Sequence, residues 1–347
     1  MMSDSSTIQY FRYENRFELE SGHFLPRLTL GYHTFGRANH DCSNVVWIIH
    51  ALTADSQPTK WWQGVVGPGM AIDTDRYFVV CANTLGSHYG STSPLSLDPI
   101  NCKPYYHDFP SITNRDIVQA FKLLADHLRI RKINTLIGPS IGGQQALEWA
   151  VMYPQMIEKL VAIATNAVHS PYGVAFNESQ RMAIELDPSW EQASNESGLE
   201  GLKVARSIAL LSYRTKLGYD STQTRTKDAV DKFAAASYQQ YQGEKLSRRF
   251  NAYSYYLLTK AMDSHDLGRA RESVQYALST ITADTTVISI SSDILFPPKE
   301  QQLLASYIPK VNLINVESHF GHDGFLVEAE SISQAFSQVF QTDSAIV

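Results

Sequence analysis

Cysteine is scarce in this chain: three residues among 347, Cys42, Cys81 and Cys102, an odd number with no C-x-x-C pair. That excludes a disulfide framework and a cysteine zinc site, and it fits a reducing compartment. Basic runs are also missing. With 29 Lys and Arg against 35 Asp and Glu the formal charge is −6, so the electrostatic attraction that drives nucleic-acid binding has no source. No apolar stretch approaches the roughly 20 residues that a bilayer span needs. The leading segment, Met1 to Thr7, lacks a basic stretch followed by an apolar core. These absences predict a cytoplasmic protein with neither nucleic acid nor membrane as a partner. There is no internal repeat and no low-complexity tract. What remains is a globular composition, 44% hydrophobic and 18% charged, on a chain long enough to bury a large core.

Short runs rich in Val and Ile recur at Val45 to Ile49, Tyr77 to Cys81, Thr135 to Ile137, Leu160 to Ile163, Thr286 to Ile290 and Val311 to Val316. Continuous apolar runs of this length mark strands covered by helices on both faces, as in a parallel sheet. Between two of them, Asp116 to Leu128 sets Ile117, Ala120, Phe121, Leu124 and Leu128 at helical spacing. Strand, helix, strand predicts an α/β fold. From about Pro171 to Ala270 the β-branched runs thin out. Helix-compatible segments, Val204 to Tyr213 and Phe250 to Met262, are separated by polar loops at Ala193 to Gly201 and Gly218 to Asp228. The expectation is a discontinuous α/β core, residues 1–170 and 271–347, interrupted by a helical insertion at 171–270 that lies over it as a lid.

Chemistry concentrates in Asn134-Thr-Leu-Ile-Gly-Pro-Ser140-Ile-Gly-Gly-Gln-Gln-Ala-Leu-Glu-Trp, which contains a G-x-S-x-G. The pattern alone is as often a glycine-rich turn with an incidental serine. An apolar strand leads into it and a helix-forming run leaves it, which is the setting of a nucleophile elbow. Small neighbours are needed because the turn forces the serine into a strained conformation. Pro139 has no backbone N–H, but the oxyanion donor comes from the residue after the serine, here Ile141.

On this fold the triad runs Ser, then Asp or Glu, then His, the last two on loops after late strands. Asp293 follows the Thr286 to Ile290 run and His322 follows Val311 to Val316. The acid holds the imidazole in one tautomer; the imidazole takes the serine proton and later returns it to the leaving group. A lone loop Asp is usually a turn cap, yet the order and placement favour the catalytic role. His319 competes for the base; His322 is preferred because Gly321 precedes it and a helix-like run, Phe325 to Phe336, follows. The H-x-x-H spacing of the pair lacks the third ligand and helical context of a metal site. The second oxyanion donor is expected after the early strand, at the N–H of Leu52, where a purely structural loop accounts for the residues almost as well.

The nucleophile segment resembles that of homoserine O-acetyltransferases, and further landmarks follow in order. They are His50-Ala-Leu-Thr, Trp61-Trp62, Gly67-Pro-Gly, Ile72-Asp-Thr-Asp-Arg-Tyr-Phe, Tyr89-Gly-Ser-Thr, Asp108-Phe-Pro, Phe176-Asn-Glu-Ser-Gln-Arg181, Tyr241-Gln-Gly-Glu-Lys, Ser291-Ser-Asp293 with Leu295-Phe-Pro-Pro, and Gly321-His322-Asp323-Gly-Phe-Leu. Together they span about residues 28 to 326. Pro139 and Ile141 depart from the Gly and Met common at those positions.

The resemblance implies an α/β-hydrolase fold with the triad on Ser140, Asp293 and His322. It implies a cytoplasmic homodimer of methionine biosynthesis, paired through the lid, that moves acetyl from acetyl-CoA, a co-substrate, to the hydroxyl of L-homoserine. No cofactor is held permanently. Substrate contacts carry over to Arg181 and Asp323, a guanidinium and a carboxylate suited to the two charges of an amino acid. Relatives with nearly the same core use succinyl-CoA or accept L-serine, and an esterase or a non-catalytic binding protein on the same scaffold remain the other readings.

Overall fold

A computed structural model describes residues 5–224, 230–231 and 233–340. Residues 1–4 of the leading segment, and 225–228 of the expected loop from Gly218 to Asp228, lie outside the described residues.

Eight strands form the main sheet: β1 (Ser5–Tyr13), β2 (Leu28–Phe35), β3 (Val45–Ile48), β4 (Phe78–Ala82), β5 (Ile133–Pro139), β6 (Ile157–Ile163), β7 (Asp284–Ile290) and β8 (Val311–Val316). Their spatial order is β1-β2-β4-β3-β5-β6-β7-β8. The first two junctions are antiparallel and every later one is parallel. The six apolar runs expected as strands are the six strands β3 to β8, with bounds moved by three residues or fewer. β1 and β2 were not among them, because their apolar residues alternate with polar ones and make no run.

Why the central strands read as unbroken apolar stretches is visible along β3. Val45 and Trp47 pack into one buried cluster with Phe121 and Trp149, while Val46 and Ile48 pack into another with Trp62 and Phe336. Successive side chains point to opposite faces, and both faces are dry. One face carries α1 (Asn114–His127) and α2 (Ile141–Met152), and the other carries α10 (Ala329–Phe340). Helix α1 starts where its sequence says it should. The Thr113 side chain accepts from the Asp116 N–H and the Asp116 carboxylate accepts from the Thr113 N–H, a closed capping box.

Between β6 and β7 run α3 (Pro171–Glu185), α4 (Leu199–Tyr213), α5 (Lys216–Thr222), α6 (Ala234–Ser247), α7 (Ala252–Asp263) and α8 (Val274–Ser279). Helix α3 packs on α4 and α7, and α4 packs on α6. Two expected loops are corrected. The Ala193 to Gly201 stretch ends in α4, whose cap Gly198 takes φ +74°. Gly218 sits inside α5, where Thr215 caps its N–H. The helix α9 (Pro298–Tyr307) follows the loop after β7.

Candidate active site

The nucleophile position is built from close approach. At the end of β5, a Cβ on Gly138 would lie 2.2 Å from the Gly142 carbonyl oxygen, and one on Gly142 would lie 2.4 Å from that of Ile49. Only glycine permits this turn between strand and helix. Ser140, at its apex, takes φ 57° and ψ −127°, a conformation that costs of order 1–3 kcal/mol for a non-glycine residue. Bonds to its backbone hold it there: its N–H donates to Ile163 O at 2.9 Å, and its carbonyl accepts from the Gly143 N–H at 2.9 Å and from the Thr165 hydroxyl at 2.8 Å.

Ser140, His322 and Asp293 form one hydrogen-bonded line. His322 Nε2 lies 2.9 Å from Ser140 Oγ and His322 Nδ1 lies 2.7 Å from Asp293 Oδ2. All three are buried. The second Asp293 oxygen accepts from the N–H groups of Leu295 at 2.8 Å and Phe296 at 2.9 Å. Those bonds leave its other oxygen aimed at the imidazole. The His322 ring is wedged among Phe296, Phe325 and Tyr213, with centroids 5.1, 5.3 and 5.6 Å away, so it has little room to turn. Gly321 before it takes φ +65°, and its N–H donates to Ser292 Oγ at 3.0 Å. His319 is exposed and its carbonyl is engaged by Thr215; it does not reach the serine.

Ser140 and His322 open onto a cavity of about 430 Å³ whose wall includes Leu52, Asp55, Arg206, Tyr213, Arg249 and Asp323. Ile141 begins α2, so its N–H is one of the unpaired donors at the positive end of that helix. The N–H groups of Leu52 and Ile141 have no protein acceptor among the described residues. Asp323 reaches the cavity while its Oδ2 accepts from Arg214 Nε at 2.9 Å.

Arg181 is corrected. It does not line the cavity. Its side chain is turned into the packing of α3 against α7, where it lies 2.6 Å from both Glu178 and Asp263, and its side chain is only 5% exposed. Its guanidinium already holds two carboxylates through Nε and Nη2, and the remaining nitrogen, Nη1, is buried without a partner, so no donor of Arg181 is presented to the cavity. Two arginines do face the cavity, Arg249 and, on α4, Arg206. Arg206 is the one without a hydrogen-bonded partner among the described residues. No carboxylate among the described residues lies within ion-pair distance of it; it rests over the Tyr213 ring at 5.4 Å. Sequence reasoning missed Arg206 and Tyr213, although their spacing of seven residues on one helix places them on one face. Among the described residues no group of three His, Cys, Asp or Glu is arranged to hold a metal ion, and no helix is long and apolar enough to cross a membrane.

Residues 44–329 match the alpha/beta hydrolase fold family. A homoserine O-acetyltransferase of Cyclobacterium marinum is 46% identical over 326 residues, covering 94% of this chain and 93% of that one. The crystal structure of homoserine O-acetyltransferase from Bacillus anthracis superposes with a TM-score of 0.90 at 25% identity, covering 97% and 98%. An acetylester hydrolase from Corynebacterium glutamicum superposes with a TM-score of 0.85 at 23% identity, covering 98% and 100%; at that distance the likeness is one of fold. With close relatives matched over nearly its whole length, the chain belongs to the homoserine O-acetyltransferase family of α/β-hydrolase-fold proteins.

Proposed function

We propose that this enzyme transfers acetyl from acetyl-CoA to the hydroxyl of L-homoserine through an acyl-serine intermediate. The observation that carries the reading is the bonded line from Asp293 through His322 to Ser140 at the floor of a cavity that also presents Arg206 and Asp323. His322 Nε2 takes the Ser140 proton as Oγ attacks the thioester carbonyl. The N–H groups of Leu52 and Ile141 hold the oxyanion. The intermediate collapses, the CoA sulfur leaves with the proton from His322, and acetyl-Ser140 remains. Homoserine then gives its hydroxyl proton to the same nitrogen, attacks the acetyl carbonyl, and regenerates the serine. Asp293 keeps His322 in the tautomer that both halves need.

Arg206 takes the place first given to Arg181. Of the two cavity arginines, Arg249 is already bonded to Thr53 and Tyr89, whereas Arg206 has neither an ion-pair nor a hydrogen-bond partner among the described residues, so it is suited to grip the substrate carboxylate in a two-pronged bond, with Asp323 facing the ammonium. The same pair argues against a simple esterase. The esterase-like fold neighbour shows that the scaffold does not select the acceptor, whereas water needs neither a cation nor an anion to orient it.

The finer picture is of a cytoplasmic homodimer of methionine biosynthesis in which residues 171–270 act as lid and pairing surface. The exposed Tyr172, Met182 and Leu186 of α3 and its C-cap, with Val204 and Leu211 of α4, support that surface. Acetyl is preferred to succinyl, and homoserine to serine, on the family alone.

Incubation with labelled acetyl-CoA and no acceptor tests the reading. A transferase traps label on Ser140 and discharges it when homoserine is added. Rapid release of acetate without homoserine supports the esterase, and no labelling at all removes the acyl-serine route.

A further inference from the structure

His50 follows β3, directly before Ala51 of the cavity wall, and takes no part in the proton transfers above, and it is 1% exposed. Its two ring nitrogens face different chemistry. Nε2 lies 3.1 Å from the Thr84 N–H. That group can only donate, so Nε2 carries a lone pair and the ring proton sits on Nδ1. Nδ1–H therefore donates to the Ala51 carbonyl oxygen, 2.8 Å away. Burial lowers the ring's pKa, against smaller opposing effects of the Ala51 carbonyl and Asp55, which preserves the neutral ring.

The Ala51 oxygen shares a rigid plane with the Leu52 N–H. None of the described peptide bonds is cis, so carbonyl and N–H lie in that plane and point in opposite directions from the C–N bond. Whatever grips the oxygen aims the N–H. The Ala54 N–H also donates to Ala51 O, at 3.0 Å, and both Ala51 and Leu52 line the cavity. The other oxyanion donor is tied to the same strand end, since Gly142, one residue after Ile141, sits against the Ile49 carbonyl with no space for a Cβ. The relative position of the two N–H groups is thus a matter of backbone contact plus one side-chain bond.

We infer that His50 is a positioning residue, whose Nδ1–H bond to Ala51 locks the Ala51–Leu52 peptide with its N–H turned to the oxyanion of the tetrahedral intermediate. The inference rests on the acyl-serine reading above. Without the bond, paired rotations on either side of the peptide can turn the plane over. A flipped plane offers the oxyanion a carbonyl oxygen instead of a donor.

Two isosteres separate the nitrogens. Asparagine sets an amide N–H close to where Nδ1 stands, and glutamine sets its amide close to Nε2. For wild type, His50→Asn, His50→Gln and His50→Ala, the readouts are the rate of acetyl-Ser140 formation from labelled acetyl-CoA, its KM, affinity for methylboronic acid, and thermal unfolding. Methylboronic acid caps the serine as a tetrahedral anion. The Gln and Ala variants should slow acylation on the order of 10² to 10³-fold, the effect of losing one oxyanion donor, with KM changed less than about threefold and boronate affinity falling in parallel. His50→Asn should recover to within about tenfold of wild type. Replacing Leu52 by its α-hydroxy acid, which turns the N–H into an ester oxygen, should reproduce the Gln loss.

Equal losses in the Asn and Gln variants overturn the inference, as does wild-type acylation in the Gln variant or an ester at position 52 without effect. Should the Ala variant not fold, the Asn and Gln pair decides. Wild-type enzyme that never forms acetyl-Ser140 overturns the acyl-serine reading itself, a result distinct from any of these.

Discussion

Arg181 Nη2 lies 2.6 Å from Asp263 Oδ2 across the contact between α3 and α7, and the pair extends inward through side-chain bonds toward the nucleophile helix. Asn177 donates to Asp263 at 2.7 Å and lies 3.3 Å from His169 Nε2. The other His169 nitrogen lies 3.3 Å from Gln144 of α2. Burial, helped by His265 and Arg181, pushes the His169 pKa down to about 3, so the ring stays neutral. A charge pair this enclosed is a structural element. Arg181→Ala leaves Asp263 uncompensated and should cost on the order of 3 to 5 kcal/mol of stability. Chemical denaturation measures that loss. The fraction that stays folded should acetylate Ser140 and use homoserine normally; a selective defect in homoserine use would restore Arg181 to the substrate site.

Arg206 carries the opposite expectation. Arg206→Ala should leave acetyl-Ser140 formation near normal and slow its discharge by homoserine, a loss of roughly 2 to 5 kcal/mol. Arg206→Lys should recover part of it, because an ammonium cannot reproduce a planar fork. Single-turnover rates of the two half-reactions separate these outcomes. Arg249 is the control, a second arginine of the cavity wall that bonds Tyr89 Oη at 2.9 Å and the Thr53 carbonyl. If Arg249→Ala shows the acceptor-specific defect and Arg206→Ala does not, the carboxylate is held by Arg249 instead.

For the triad, Ser140→Ala should abolish transfer, with a loss on the order of 10⁴ to 10⁶ in turnover that His322→Ala nearly matches and does not multiply. Asp293→Asn should lower turnover by roughly 10⁴, because the amide donates where the carboxylate accepted and so favours the wrong imidazole tautomer. Initial rates with acetyl-CoA varied at fixed homoserine should give parallel double-reciprocal lines. A Ser140→Ala enzyme with a tenth of wild-type activity would dismiss this nucleophile.

The difference between the expected site residues that the structure brings together and the one that it places elsewhere is one of range. Ser140 is announced by its own neighbours, since the glycines that let the chain turn are two residues away on either side. Asp293 and His322 are separated from it by much of the chain, yet each follows a strand run, and chain order in a parallel sheet sets where strand ends lie. Arg181 and Arg206 are both arginines on helices of one insertion. Which of them faces the cavity depends on how α3 and α4 dock over the sheet, and a side chain's own segment carries little of that information. The antiparallel β1 and β2 were missed for a related reason: Thr29, Thr34 and His33 interrupt β2, yet tertiary packing buries Leu28, Leu30 and Tyr32 all the same.

Glu300, in the first turn of α9, supplies a prediction about pH. It accepts from the Asn166 amide at 2.8 Å, and burial pushes its pKa up to about 7, with the nearby negative charge of Asp293 adding to the rise and the Asn166 bond opposing it. A carboxyl whose folded pKa exceeds its unfolded value stabilises the fold while protonated in both states. That contribution is whole below the unfolded value, near 4.3, and is lost as pH rises through about 7. Glutamine copies the protonated acid in shape and still offers Asn166 an acceptor, but it does not ionise. Glu300→Gln should therefore match wild type in thermal stability at pH 4 to 4.5. Its melting temperature should then pull ahead as pH rises, with the gap levelling off above about pH 8, where wild-type Glu300 is ionised in both states. Melting curves at half-unit pH steps read the gap directly. A constant gap from pH 5 to 8 would mean that Glu300 titrates as an ordinary carboxylate, and a gap that shrinks with pH would mean that ionised Glu300 is favoured by a positive partner.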